Sequence, residues 1–331
     1  MSPKRRLQIF GALVAACVVV AVAAVVLAAG GDTAVSKDAK DALVSARAER
    51  QSRLVYRSLD RAKPETFGQI AVAGLAANAA RTLVPLKCER VYFGAGSGIC
   101  LTRGTAFASG YRARIFGDDL RPRGEVEVEG IPSRARVSPN GRIGSVTLFV
   151  SGHSYAEVGG FSTTTTLIDM ARGRKIAELE DFTVTRDGRK ITADDANFWG
   201  VTFARDNDRF YATLATGDHF YLVEGSVSSR MMKTIHDRVE CPSLSPDGTR
   251  IAYKRRVGPG GKRWRLYVLD LATMRETPLA ETRSVDDQAE WLDDEHLLYG
   301  LEEQIWTTSA DGSGKPKPYA AEADSPTVVR W

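Results

Sequence analysis

Cys241-Pro242-Ser243-Leu244-Ser245-Pro246-Asp247-Gly248-Thr249-Arg250-Ile251-Ala252-Tyr253-Lys254 reads as two short strands around a tight turn. In Pro246-Asp247-Gly248 the proline presets φ, the aspartate bonds its own backbone and the glycine accepts positive φ. Apolar residues alternate on both sides, which makes the pair a hairpin. A Gly- and Pro-rich loop over 257–261 follows. Then come Arg265-Leu266-Tyr267-Val268-Leu269-Asp270-Leu271 and Glu276-Thr277-Pro278-Leu279, as third and fourth strands. Four short strands in about 45 residues make one blade of a β-propeller. Such a blade cannot bury both faces alone, so it requires neighbours of the same kind.

The neighbours are present. Arg136-Val137-Ser138-Pro139-Asn140-Gly141 repeats the turn with Asn for Asp, and Thr165-Thr166-Leu167-Ile168-Asp169-Met170 fills the third-strand slot. Asp206-Asn207-Asp208 takes the turn position after Val201-Thr202-Phe203. Asp293-Asp294-Glu295 takes it after Ala289-Glu290-Trp291, with Gln304-Ile305-Trp306-Thr307-Thr308 as a later strand. A weaker copy runs from Arg90-Val91-Tyr92-Phe93 through a glycine-rich turn to Ile99-Cys100-Leu101. The chain ends Ser325-Pro326-Thr327-Val328-Val329-Arg330-Trp331, an inner strand without its hairpin partner. Leu54-Val55-Tyr56-Arg57-Ser58 supplies that partner, so residues 325–331 and 53–58 are expected to close the ring and remove open edges. The 280 residues after Gln51 (331 − 51) divide into six blades of about 47 each.

The Ser245-Pro246-Asp247-Gly248 turn, the Ile251-Ala252-Tyr253 strand and the Leu266-Tyr267-Val268-Leu269-Asp270-Leu271 strand together resemble the TolB-like, WD40-like propeller repeats of bacterial envelope proteins. The resemblance spans residues 52–331 and is strongest over the blade that begins at Val239. It implies a six-bladed propeller of four-stranded blades and a protein-interaction role without catalysis. Residues 32–51 are too few for the α/β domain that precedes the propeller in TolB itself.

Residues 7–29 carry no charge and follow Lys4-Arg5-Arg6. As a helix they would span roughly 34 Å, enough for a bilayer core. The basic flank puts residues 1–6 in the cytoplasm and the rest outside, a single-pass cell-membrane topology. Cleavage as a secretory signal near Ala28 is the alternative, although the run exceeds the usual apolar core of such signals. Lipidation at Cys17 would leave twelve further apolar or small residues behind it, so Cys17 reads better as a small apolar side chain. Residues 30–51 are expected to form a partly helical, solvated spacer. The formal net charge is +4, of which Lys4, Arg5 and Arg6 supply three; the remainder, about +1, argues against nucleic acid.

Outside the cytoplasm, Cys88 and Cys100 flank a hairpin at a spacing that suits a disulfide. A Cys88–Cys241 pair and three reduced thiols are the competing arrangements. None of His153, His219, His236 and His296 has a partner at metal-ligand spacing. The acidic triplets sit in turn positions and lack the length of a calcium loop. Gly94-Ala95-Gly96-Ser97-Gly98 matches neither a nucleophile elbow nor a dinucleotide fingerprint. No catalytic residue, metal or cofactor is therefore expected. Propeller partners meet the loops that lead into the inner strands. This selects Arg134, Trp199, Glu240, Glu290 and Trp291 as binding candidates. Packing between blades competes for both tryptophans, and plain solvation for the charged three. The expected role is a tethered scaffold for an envelope protein, peptide or polymer. The alternative is a hydrolase or lyase acting on glycan or peptide in the channel.

Overall fold

Local turn chemistry sets the blades. A computed structural model describes residues 37–104, 110–151 and 161–331. In blade five, Ser245 Oγ donates to Asp247, Asp247 accepts from the Thr249 N–H at 3.0 Å, and Ser245 Oγ accepts from the Arg250 N–H at 3.0 Å. Blade three repeats all three bonds with Ser138, Asn140, Arg142 and Ile143. The turns also bond to one another: the Asn140 N–H donates to Asn207 Oδ1, and the Asp247 N–H to Asp294 Oδ1, each at 2.9 Å. Asn207 and Asp294 thus stitch neighbouring blades.

The strands form six sheets, arranged as a six-bladed propeller. Blade one comprises Arg53–Ser58, Gln69–Ala73 and Arg81–Lys87, with the C-terminal Ala323–Val329 as inner strand. The register there pairs Arg53 with Val329, Leu54 with Val328 and Ser58 with Ala323. Inner strands of blades two to six are Arg90–Gly94, Ile131–Val137, Asn197–Phe203, Glu240–Leu244 and Glu290–Trp291. Apolar cores fill the seams. Leu54 and Tyr56 of blade one pack with Leu298, Ile305 and Tyr319 of blade six, for example.

Blade four departs from the four-stranded expectation. A hairpin, Thr183–Arg186 with Arg189–Lys190, adds to its outer edge, the first of these running parallel to Met231–Asp237. Its charged rim residues make a poor template for further pairing. The spacer also departs from a solvated stalk. Lys37–Ala48 is helical, and Leu43 and Ala46, three apart on one face, are wholly buried against the propeller. Arg47 binds Asp118 at 2.6 Å and lies over the Trp331 ring, whose Nε1–H donates to the Gln51 carbonyl at 3.0 Å. Residues 7–29 with Cys17, and also His153, lie outside the described residues. Among the described residues no helix is long and apolar enough to cross a membrane. Cys88 and Cys100 are joined by a disulfide, and Cys241 is a buried free thiol.

Candidate functional site

Six inner strands converge on the channel, and their course is shaped by bulges. Blades one, three, four and five each carry one extra residue in the inner strand, near its entry end. The extra residues bend the strands and re-aim the side chains beside them. Gly200 and Cys241 take positive φ there, at 66° and 51°. A Cβ on Gly200 would lie 2.6 Å from Cys241 Cα, so only glycine permits that approach. Cys241 is consequently walled in, and burial pushes its thiol pKa up.

Counting back from the turns, Tyr92, Arg136, Thr202, Ser243, Glu290 and Thr327 occupy one level of the ring. Arg136 and Glu290 are buried there and form a salt bridge across the channel. Arg136 also donates to the Ala289 carbonyl at 2.7 Å and Ser243 Oγ at 3.2 Å, and its guanidinium lies 4.6 Å from the Tyr92 ring centre. Glu290 accepts from the Val328 N–H at 3.3 Å and the Tyr92 hydroxyl at 3.4 Å. Burial, followed by the Glu290 charge, raises the Tyr92 hydroxyl above its ordinary pKa. This layer plugs the channel. On its turn side is a cavity of about 280 Å³, to which all six blades contribute, with Phe93, Pro139, Arg205, Pro246, Trp291 and Arg330 in its walls.

On the loop side a second charged group fills the wall. Lys254, with no exposed surface, pairs with Asp286 and sits 4.7 Å from the Trp264 ring centre. Arg134 lies 3.7 Å from the same carboxylate. Burial disfavours the Asp286 charge, yet Lys254 and Arg134 hold its carboxyl below the ordinary value. Arg57 binds Asp324 at 2.9 Å, with Arg90 at 3.7 Å. Burial lowers Arg90, and its neighbours Arg134 and Arg57 add to that. Burial outweighs these partners at Asp324 and raises its carboxyl. A cavity of about 370 Å³ opens beside them between blades one and six, walled by Arg61, Phe67, Asp287 and Glu303 among others.

The five residues selected from sequence are all buried. Trp199 packs among Phe149, Ala215, Cys241 and Trp264 between blades, and Trp291 donates its Nε1–H to the Ser243 carbonyl at 2.8 Å. Both indoles pack between side chains of neighbouring strands, and Trp291 also edges the 280 Å³ cavity. Glu240 is held by Arg256 at 2.9 Å and Trp264 Nε1 at 3.0 Å. Arg134 and Glu290 belong to the two charged groups just described. Sequence reading missed Arg136, Lys254 and Asp286. The available signal was a charged residue at Arg136, in the inward slot that Ser243 fills in blade five. Among the described residues no three His, Cys, Asp or Glu side chains converge as a metal site.

No family model and no curated protein matches the sequence. Solved structures do match the fold. TolB from Acinetobacter baumannii superposes with a TM-score of 0.55 at 14% identity, over 84% of this chain and 66% of that one. This chain thus spans just under two thirds of that protein. A TolB structure from Agrobacterium tumefaciens gives 0.48 at 12% identity, over 81% and 88%. The tricorn protease gives 0.44 at 10%, over 84% and 34%. The chain has a TolB-like β-propeller fold, shown by distant structural similarity.

Proposed function

We propose that this protein is a non-catalytic binding scaffold, held outside the cytoplasmic membrane by residues 7–29, whose loop-side rim receives an envelope protein, peptide or polymer. The observation that carries the reading is the plug. Arg136, Glu290, Lys254, Asp286 and Arg134 are committed to one another or to main-chain carbonyls. Arg136 pairs with Glu290, and Lys254 and Arg134 share Asp286, so neither carboxylate stands free to act on a substrate. The rim above them offers the 370 Å³ cavity and the exposed Arg61 and Glu303. Similarity of fold to TolB supports a scaffold role by analogy only.

The test is photo-crosslinking with the full-length protein in its native envelope, with a crosslinking residue at Glu302. One specific partner, lost when Arg61→Glu reverses the rim charge, is the expected result. Turnover of cell-wall fragments by the purified full-length protein would overturn the reading.

A further inference from the structure

We infer that the turn face of blades two to four is a docking surface for an anionic lipid bilayer. Arg121, Arg142, Arg174 and Arg205 are exposed in or beside the turns of these three blades. None of the four has a carboxylate at ion-pair distance among the described residues. The nearby acids are already engaged. Asp118 faces Arg47 and, with Asp119, Arg123; Asp169 faces Arg172, and Asp206 faces Arg209. Asp208 keeps its charge, held by the Ser226 hydroxyl at 2.6 Å and the Ser228 N–H at 2.7 Å, so the four unpaired arginines face one unpaired carboxylate. A basic excess remains.

That excess is spread, not focused. The Asn140–Asn207 bond sets the Arg142 and Arg205 turns side by side. A Cβ on Gly124 would lie 3.4 Å from Gly173 Cα, which brings blade two's outer strand against the turn that precedes Arg174. Four point charges over three adjacent blades match a broad anionic surface better than one small anion. The choice of a bilayer rests on the proposed tether. The C-terminal turn of the helix Lys37–Ala48 is held at this face: Arg47 binds Asp118, three residues before Arg121. A bilayer that took up the apolar run would be linked to the propeller through this helix. The opposite ends of the same blades carry exposed Glu129, Asp194 and Asp218, along with Arg189, Lys190 and Arg238.

The experiment uses the full chain with Cys17→Ala and one reporter cysteine, Ser229→Cys on the turn face or Asp218→Cys on the other. It is reconstituted in phosphatidylcholine vesicles that carry a paramagnetic lipid quencher, with or without roughly a third phosphatidylglycerol. A fluorophore at 229 should be quenched at least about three-fold more in the anionic vesicles, an excess removed by about 0.5 M salt or by Arg121→Gln with Arg142→Gln, Arg174→Gln and Arg205→Gln. The label at 218 should stay unquenched. Quenching at 229 that ignores lipid charge, or that is exceeded at 218, overturns the inference. Co-flotation at high salt reads the tether separately. Release there removes the tether, while dependence on lipid charge at low salt still decides the docking surface.

Discussion

The two ends of an inner strand obey different rules. At the turn end, the side chains of Ser245 and Asp247 bond to residues within five positions of themselves, and those of Ser138 and Asn140 do the same in blade three. At the other end and in the channel, Arg136 meets Glu290 from 154 positions away. The first code is local and repeats; the second is assembled once, by closure of the ring. Turn-end changes should therefore cost little and stay local, whereas channel and closure changes should be felt throughout.

Loss of closure is the largest expected effect. Ending the chain after Glu322 removes the partner of Arg53–Ser58 and the Val328 N–H that binds Glu290. Thermal unfolding followed by circular dichroism should lose its single cooperative transition. A sharp native-like melt would break the contrast between closure and local turns. Next is the plug. Glu290→Ala leaves the Arg136 charge buried without its carboxylate, at a cost of about 3–5 kcal/mol in urea unfolding. A loss below about 1 kcal/mol would place the pair with ordinary surface ion pairs.

The disulfide lies between the two regimes, being local in sequence but covalent. Cys88→Ser with Cys100→Ser opens a loop of 12-residue separation and should cost about 2–3 kcal/mol, read from the same unfolding curves. An unchanged midpoint would show that the hairpin Arg90–Arg103 is held by strand pairing alone. Smallest is the turn itself. Asp247→Ala removes the acceptor for the Thr249 N–H and hydroxyl and should cost about 1 kcal/mol. Hydrogen exchange should report the change only around residues 245–250 and in the Asp294 turn that bonds to it. Spread to blades one or two would contradict a local code.

That division also explains what could be read from sequence. Turns, strand order and the Cys88–Cys100 pair depend on neighbours in the chain, so Pro246-Asp247-Gly248 and its weaker copies announce the blades. The closing strand was legible because Thr327-Val328-Val329 lacks a hairpin partner that Leu54-Val55-Tyr56 supplies. The helix Lys37–Ala48 is legible in the sequence as helix but not as packed, since its buried Leu43 and Ala46 sit among small alanines that give only a weak apolar signal. The extra hairpin on blade four, whose first strand runs parallel to Met231–Asp237, has no repeat signal in the sequence. The position of Trp199 and Trp291 points to the rim, yet the bulge at Gly200 turns the Trp199 indole into a seam, and Trp291, on an inner strand without a bulge, packs in the apolar core of blades five and six. Nothing in the local sequence of Arg136 names Glu290 as its partner, because that contact exists only once the blades have closed into a ring.

A double-mutant cycle between Arg136 and Glu290 tests the plugged ring most directly, with Arg136→Met, Glu290→Leu and their combination compared by urea unfolding. Each single change strands one buried charge, whereas the pair replaced together leaves an apolar layer. The expected result is a double variant more stable than either single one, with a coupling of about 2–3 kcal/mol. Single effects that simply add, with a coupling under about 0.5 kcal/mol, would mean that the two side chains do not meet across the channel.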